Sequence, residues 1–181
     1  MPLPSEVDGV SAISREDWRI ASLTALAVSL HIIESALPPL LPGLKPGLAN
    51  IVVIVTLCRY GYRDAVWVSL LRVLVSALLL GTLFSPTFWL SLAGALGSLL
   101  ILWPARWLPG RGFGPLGFSL LAAMAHIGAQ FVMAYLVFVQ HAGVFWLLPP
   151  LLAASLIFGI FNGLIAHWIL SQLASRPSVR P

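Results

Sequence analysis

Long apolar runs, broken by short polar clusters, set the pattern of this chain. Crossing the hydrocarbon core of a bilayer takes about 20 predominantly apolar residues, with a working range of about 17–25. On that measure the pattern predicts six membrane-spanning helices, over 17–37, 47–60, 64–82, 86–103, 115–140 and 144–173. The separators are made of turn-forming and charged residues. "GYRD" divides the second run from the third, "GTLFSP" the third from the fourth, and "WPARWLPGRGFGP" the fourth from the fifth, while "HAGVF" precedes the last. The expected fold class is an all-α integral membrane bundle. A polar tail over 1–16 precedes the membrane domain at 17–173, and a second tail covers 174–181.

Composition sharpens this. Hydrophobic residues make up 59% of the chain and charged residues only 9%, against about a quarter charged in soluble domains. The isoelectric point near 10.0 does not point to nucleic acid, because the basic residues come in ones and twos at the ends of apolar runs and form no patch. The opening "MPLPSEVDGVSAISRED" lacks an apolar core after a basic start, so it is read as a tail and not as a cleavable signal peptide. A single cysteine, Cys58, rules out a disulfide framework and a thiolate metal cluster.

The cations also assign an orientation. Arg15 and Arg19 precede the first run, Arg59 and Arg63 flank the second turn, Arg106 and Arg111 lie in the fourth, and Arg176 and Arg180 follow the last. The positive-inside rule places these four pairs, and with them both termini, in the cytoplasm. Lys45 falls on the opposite side, where topology does not require it.

Setting aside the topology arginines leaves His31, Glu34, Lys45, Asn50, Arg72, His126, Gln130 and Asn162. At about 1.5 Å per residue, Asn50, Arg72, His126 and Asn162 lie roughly 12–16 Å from the arginine-rich face, and His31, Lys45 and Gln130 roughly 20–22 Å. Glu34 lies a little further out. A lone Asn or Gln in a membrane helix commonly makes one interhelical hydrogen bond, and that reading applies first to Asn162. His126 and Gln130 are four apart and share a helix face; they could be packing glue or a binding pair. His141 and His167 sit near helix ends and read as interfacial. No histidine–carboxylate cluster has metal-ligand spacing, so no metal and no cofactor is expected.

Arg72 stands apart, near the middle of "WVSLLRVLVSALLLG". An arginine at a helix centre costs about 2.5–3.5 kcal/mol even on the lenient insertion scale. It needs an acidic partner, a watery cavity or an anionic ligand. Glu34 is the available intramembrane carboxylate, but a depth difference of roughly 10 Å counts against direct contact.

The stretch "LPGLKPGLAN", residues 41–50, gives these residues a setting. The run after it is short for a bilayer core of about 30 Å, so the loop is expected to dip below the outer surface. Irregular backbone survives there only when protein or a water-filled cavity satisfies it. Pro46 suits a first helical turn. The amides of 46–48, with Lys45 beside them, would then face an anionic or dipolar group. The plainer reading is a structural connection with a snorkelling lysine. Small residues form two stripes: Ala21, Ala25 and Ser29 on the first span, and Ser91, Gly94, Ala95 and Ser98 on the fourth. Such stripes let helices approach closely, and one that faces outward would dock another membrane subunit.

These residues carry a resemblance. The string Pro42, Gly43, Lys45, Gly47, Leu48, Ala49, Asn50 resembles the signature of the bacterial Gx transporter family, also labelled heptaprenyl diphosphate synthase component I. Glu34, Arg72 in "LLRVLVSALLLG", "SLAGALGS" at 91–98, and "AHIGAQ" with His126 and Gln130 extend it over about 20–170. The chain departs from the family pattern at Pro46 and Ile127. The family is similar to the substrate-binding S components of energy-coupling factor transporters. The resemblance implies a six-helix inner-membrane protein with cytoplasmic termini and a pocket under the first outer loop. It also implies a small-residue docking face on the first helix, here Ala21, Ala25 and Ser29. Members are often linked with flavin-transfer, redox and quinone-related proteins.

The synthase label fails a chemical check. Prenyl transfer needs carboxylates that hold magnesium on a diphosphate, and the six acidic residues form no such cluster. No phosphate-binding P-loop is present either. The chain is therefore expected not to be an enzyme. Two readings remain open, with a proton-coupled route through His31, Glu34 and His126 as a third. The first is a binding and transport subunit for a small anionic or zwitterionic molecule, driven by partner subunits. Its site residues are Glu34, Lys45, Gly47, Asn50, Arg72, His126 and Gln130, with Phe88 and Trp89 as stacking candidates. The second is a structural membrane subunit of a redox- or isoprenoid-linked complex. The expected partners are the lipid bilayer, a small-molecule ligand and other membrane proteins, but no nucleic acid.

Overall fold

A computed structural model describes residues 14–36, 47–107 and 114–175. Lys45, Pro46 and the remainder of 37–46, together with Arg111, Arg176 and Arg180, lie outside the described residues. Six α-helices follow in order: α1 (Arg15–Ala36), α2 (Leu48–Tyr60), α3 (Tyr62–Leu79), α4 (Pro86–Ala105), α5 (Pro115–Met133) and α6 (Leu148–Ser175). A π-helical stretch, Ala134–Val139, continues α5, and a 3-10 helix, Ala142–Leu147, leads into α6. Four segments are long and apolar enough to cross a membrane: Arg15–Ala36, Pro86–Ala105, Pro115–Val139 and Ala142–Ser175. The chain is thus an all-helical, multi-pass membrane protein. α2 is apolar but short, and α3 carries Arg63, Asp64 and Arg72.

Local chemistry sets the ends. Ser14 and Asp17 form a reciprocal cap on α1: the Asp17 carboxylate accepts from the Ser14 N–H at 3.0 Å, and Ser14 Oγ accepts from the Asp17 N–H at 3.1 Å. Gly61 alone joins α2 to α3. Its φ of 103° is a conformation that L side chains resist, and its N–H donates to the carbonyls of Thr56 and Leu57. The third run stops at Leu79, three residues earlier than its hydropathy suggests, because Gly81 and Phe84 both take φ near 65° and turn the chain. Ser85 then caps α4, with Pro86 in the first turn.

α2 lies at the centre. Residues 51–57 are buried on every face of that helix, as expected for a helix that is apolar all round, and α1, α3, α5 and α6 all pack against it. The other half of the bundle is held by close approach. A Cβ on Gly97 would lie 2.5 Å from Ala129 Cβ, and one on Gly163 would lie 2.8 Å from the Leu116 backbone. Ser119 Oγ donates to the Gly159 carbonyl at 2.8 Å, tying α5 to α6. Ser98 Oγ lies 2.9 Å from the Ala122 carbonyl. Gly94, Ala95 and Ser98 are buried, so the small-residue stripe on α4 serves internal packing.

At the arginine-rich end, Arg19 meets Asp64 at 2.6 Å and lies over the Tyr60 ring at 4.6 Å. Arg106 stacks over Trp107 and Tyr62 at 4.6 and 5.0 Å. These contacts join α1 to α3 and α3 to α4 at one level.

A candidate binding cavity above the second helix

The short central helix creates the site. Asn162 Nδ2 on α6 donates to the Gly47 carbonyl at 3.3 Å, and Glu34 on α1 accepts from the Gly47 N–H. The level at which α2 begins is therefore fixed against both neighbours. From Asn162 back to the start of α6 at Leu148 is about 21 Å of helix, so the outer helices rise well past the end of α2. The space it leaves is a cavity of about 770 Å³, which residues of all six helices line.

Six of the seven expected site residues line this one cavity: Glu34, Gly47, Asn50, Arg72, His126 and Gln130. His31 joins them, one helical turn below Glu34 on α1. The seventh, Lys45, lies outside the described residues. Gly47 takes φ 74°, and a Cβ there would sit 3.6 Å from Asn162 Nδ2, so the backbone conformation favours glycine more than the space does. Gly94 has a different reason: a Cβ would meet His126 Nε2 at 2.5 Å, so the glycine makes room for the imidazole. Ser98 Oγ stands 3.3 Å from His126 Nδ1 and holds the ring from behind.

Arg72 is only 6% exposed. Among the described residues no hydrogen bond or ion pair reaches its guanidinium; Glu34 and His126 act on it only electrostatically. A direct Arg72–Glu34 ion pair within 4.0 Å is absent from the structure, as the difference in depth implied. Glu34 is engaged elsewhere. Its Oε1 accepts from the Gly47 N–H and more distantly from the Leu48 N–H at 3.4 Å, so the carboxylate sits at the positive end of α2. This corrects the expectation that the amides of 46–48 face a ligand: those of Gly47 and Leu48 are taken by the chain's own Glu34, while residue 46 lies outside the described residues. One turn beyond Arg72, the Ser76 hydroxyl is buried with no hydrogen-bond partner.

The aromatic expectation divides. Phe88 is buried and lines the cavity, whereas Trp89 is 40% exposed, is not among the lining residues, and meets Phe88 edge to face. Sequence reasoning missed a stripe on α6. Leu151, Ser155, Phe158 and Asn162 recur at spacings of four, three and four and all line the cavity, a pattern visible in the sequence once one of them is known to face inward. Phe131 on α5 was missed as well.

Outside the cavity, Ala21, Ala25 and Ser29 are all exposed on α1. Ser29 Oγ is satisfied by the Ala25 carbonyl at 2.9 Å. Trp18, Leu26 and Ile33 are exposed on the same helix.

A family model described as heptaprenyl diphosphate synthase component I matches residues 23–169. No curated protein and no solved structure matches the chain.

Proposed function

We propose that this chain, which belongs to the heptaprenyl diphosphate synthase component I family, also called the Gx transporter family, is a substrate-binding and transport subunit. The family is one of membrane proteins resembling S components. The observation that carries the reading is the polar-floored cavity above α2, with a buried Arg72 that no group among the described residues pairs. A structural role would be served by an arginine fixed on a carboxylate; here the carboxylate of Glu34 is held by α2 instead.

On this reading the ligand is a small molecule with a negatively charged group. Arg72 receives that group, Asn50, His126 and Gln130 surround it, and Glu34 and Gly47 shape the floor. Lys45 and its loop, on sequence grounds, belong to the same site. The chain lies in a bacterial inner membrane, its arginine-rich end and both termini facing the cytoplasm. It performs no catalysis and holds no cofactor. Ala21, Ala25 and Ser29 form a smooth outward strip that suits a partner helix, through which energy for transport would be supplied. The competing reading, a structural subunit of a redox- or isoprenoid-linked complex, uses the same strip but assigns no ligand to the cavity.

Native mass spectrometry after gentle extraction with lipids separates them. A discrete small-molecule adduct, lost when Lys45→Ala and Arg72→Gln are combined, is the expected result. A ligand-free chain bound stoichiometrically to other membrane proteins, with the double variant unaltered, would instead support the structural subunit.

A further inference from the structure

Building on the small-molecule reading above, we propose that the cavity takes an elongated amphipathic monocarboxylate. Its carboxylate lies on Arg72 and its apolar body runs along α6. Three observations define the head group. First, the guanidinium presents a planar fork of donors that matches a carboxylate in two parallel bonds, and no described side chain occupies that fork. Second, the ionisable groups among the described lining residues are Arg72, Glu34, His31 and His126. With Glu34 already held at the end of α2, that set offers one permanent cation beside one carboxylate. A single negative charge on the ligand is met by Arg72. A second or third finds no further permanent cation among the described lining residues and is repelled by Glu34. Third, a diphosphate recruits metal ions or several cations. Among the described residues no group of three or more His, Cys, Asp or Glu side chains could hold a metal.

The body follows from the walls. Along α6 the lining runs from Asn162 through Phe158 and Ser155 to Leu151, about 16 Å of helix. Phe88 from α4 and Phe131 from α5 also line the cavity. The ionisable side chains are thus Arg72, Glu34, His31 and His126, while Phe88, Phe131, Leu151 and Phe158 line the walls together with the uncharged hydroxyls of Thr82, Thr87 and Ser155. A volume of about 770 Å³ is far larger than a short carboxylate needs, and lies in the range that encloses drug-sized ligands, about 300–1,000 Å³.

The test compares three probes with one body and different heads: 8-phenyloctanoate, 8-phenyloctanol and 8-phenyloctyl phosphate. Each is titrated against the full chain in lipid nanodiscs, with empty nanodiscs correcting for partition and thermal stabilisation as the readout. The carboxylate is expected to bind at least tenfold tighter than the alcohol or the dianionic phosphate at pH 7.5. That preference should shrink to within twofold in Arg72→Gln. Arg72→Lys, which keeps the charge but loses the fork, should fall between them and serves if the glutamine variant does not fold. Tighter binding of the phosphate, an undiminished preference in both variants, or no stabilisation by any probe would overturn the carboxylate assignment. The broader reading is judged separately by the co-extracted adduct: a zwitterionic or phosphorylated adduct would refute this head group while leaving a binding subunit in place.

Discussion

Two arginines of this molecule sit at different depths and are held differently. Arg19, on α1 at the arginine-rich end, has Asp64 at 2.6 Å and the Tyr60 ring beneath it. Arg72, ten residues into α3, is more deeply buried and has neither. Asp64 is itself buried, so the fold does supply a desolvated carboxylate where an arginine has to join two helices. At Arg72 the nearest carboxylate is turned onto the end of α2. Pairing is thus available to this bundle and is used at one level but not at the other. The difference marks Arg19 as a structural fastener, whereas Arg72 has no such partner among the described residues.

Substitutions can break or sharpen that contrast. The largest effect is expected at Arg72. Arg72→Gln should weaken ligand binding by about 2–5 kcal/mol, the usual loss when one member of a buried charge pair is truncated. Reversible unfolding in mixed micelles should show that its stability is unchanged or higher, because an uncompensated buried cation is gone. A large loss of stability in that variant would make Arg72 a fastener too. Asp64→Ala should do the reverse and lower stability by about 1–3 kcal/mol, an estimate reduced from the fully buried case because Arg19 is partly solvated. Ligand affinity in the same preparation should stay within twofold of wild type.

Glu34→Ala tests the carboxylate that is turned away. Loss of a cap on α2 should cost about 0.5–2 kcal/mol, read as faster hydrogen exchange at the first amides of α2. If those amides are as protected as before, Glu34 is not what holds the helix end. The smallest effect on stability belongs to Ala25→Leu, on the exposed strip of α1. It should change stability by less than about 0.5 kcal/mol while reducing co-purification with membrane partners. Unaltered co-purification would remove α1 from the docking face.

Much of the bundle was legible because membrane burial writes itself into run length. All six predicted spans have a helix, and the second run is as short in the structure as in the sequence. Arg72 was legible for the same reason, since a charge in the middle of an apolar run has few explanations. Glu34 was singled out as a site residue and does line the cavity, but its contact with the end of α2 was not foreseen. Its partners, Gly47 and Leu48, are thirteen and fourteen residues away across an intervening loop, and no periodicity relates a carboxylate to amides at that distance. Phe88 and Trp89 show the limit at shorter range. Neighbours on a helix point about 100° apart, and only the packing of α4 against the rest decides which ring enters the cavity.

The sequence by itself determined that this chain is a helical membrane protein, that its second helix is too short to cross a bilayer core, and which few polar residues lie inside the apolar runs. These follow from local physics: hydrocarbon solvates neither charges nor open backbone, so length and polarity along the chain are constrained residue by residue. Only the tertiary structure decided that seven of those residues border one cavity, that Glu34 closes the end of α2, and that Arg72 has no hydrogen-bond or ion-pair partner among the described residues. Those outcomes depend on the height and rotation of each helix relative to the others. Both are set by close contacts such as Gly97 on Ala129 and Gly163 on Leu116, which join residues far apart in sequence.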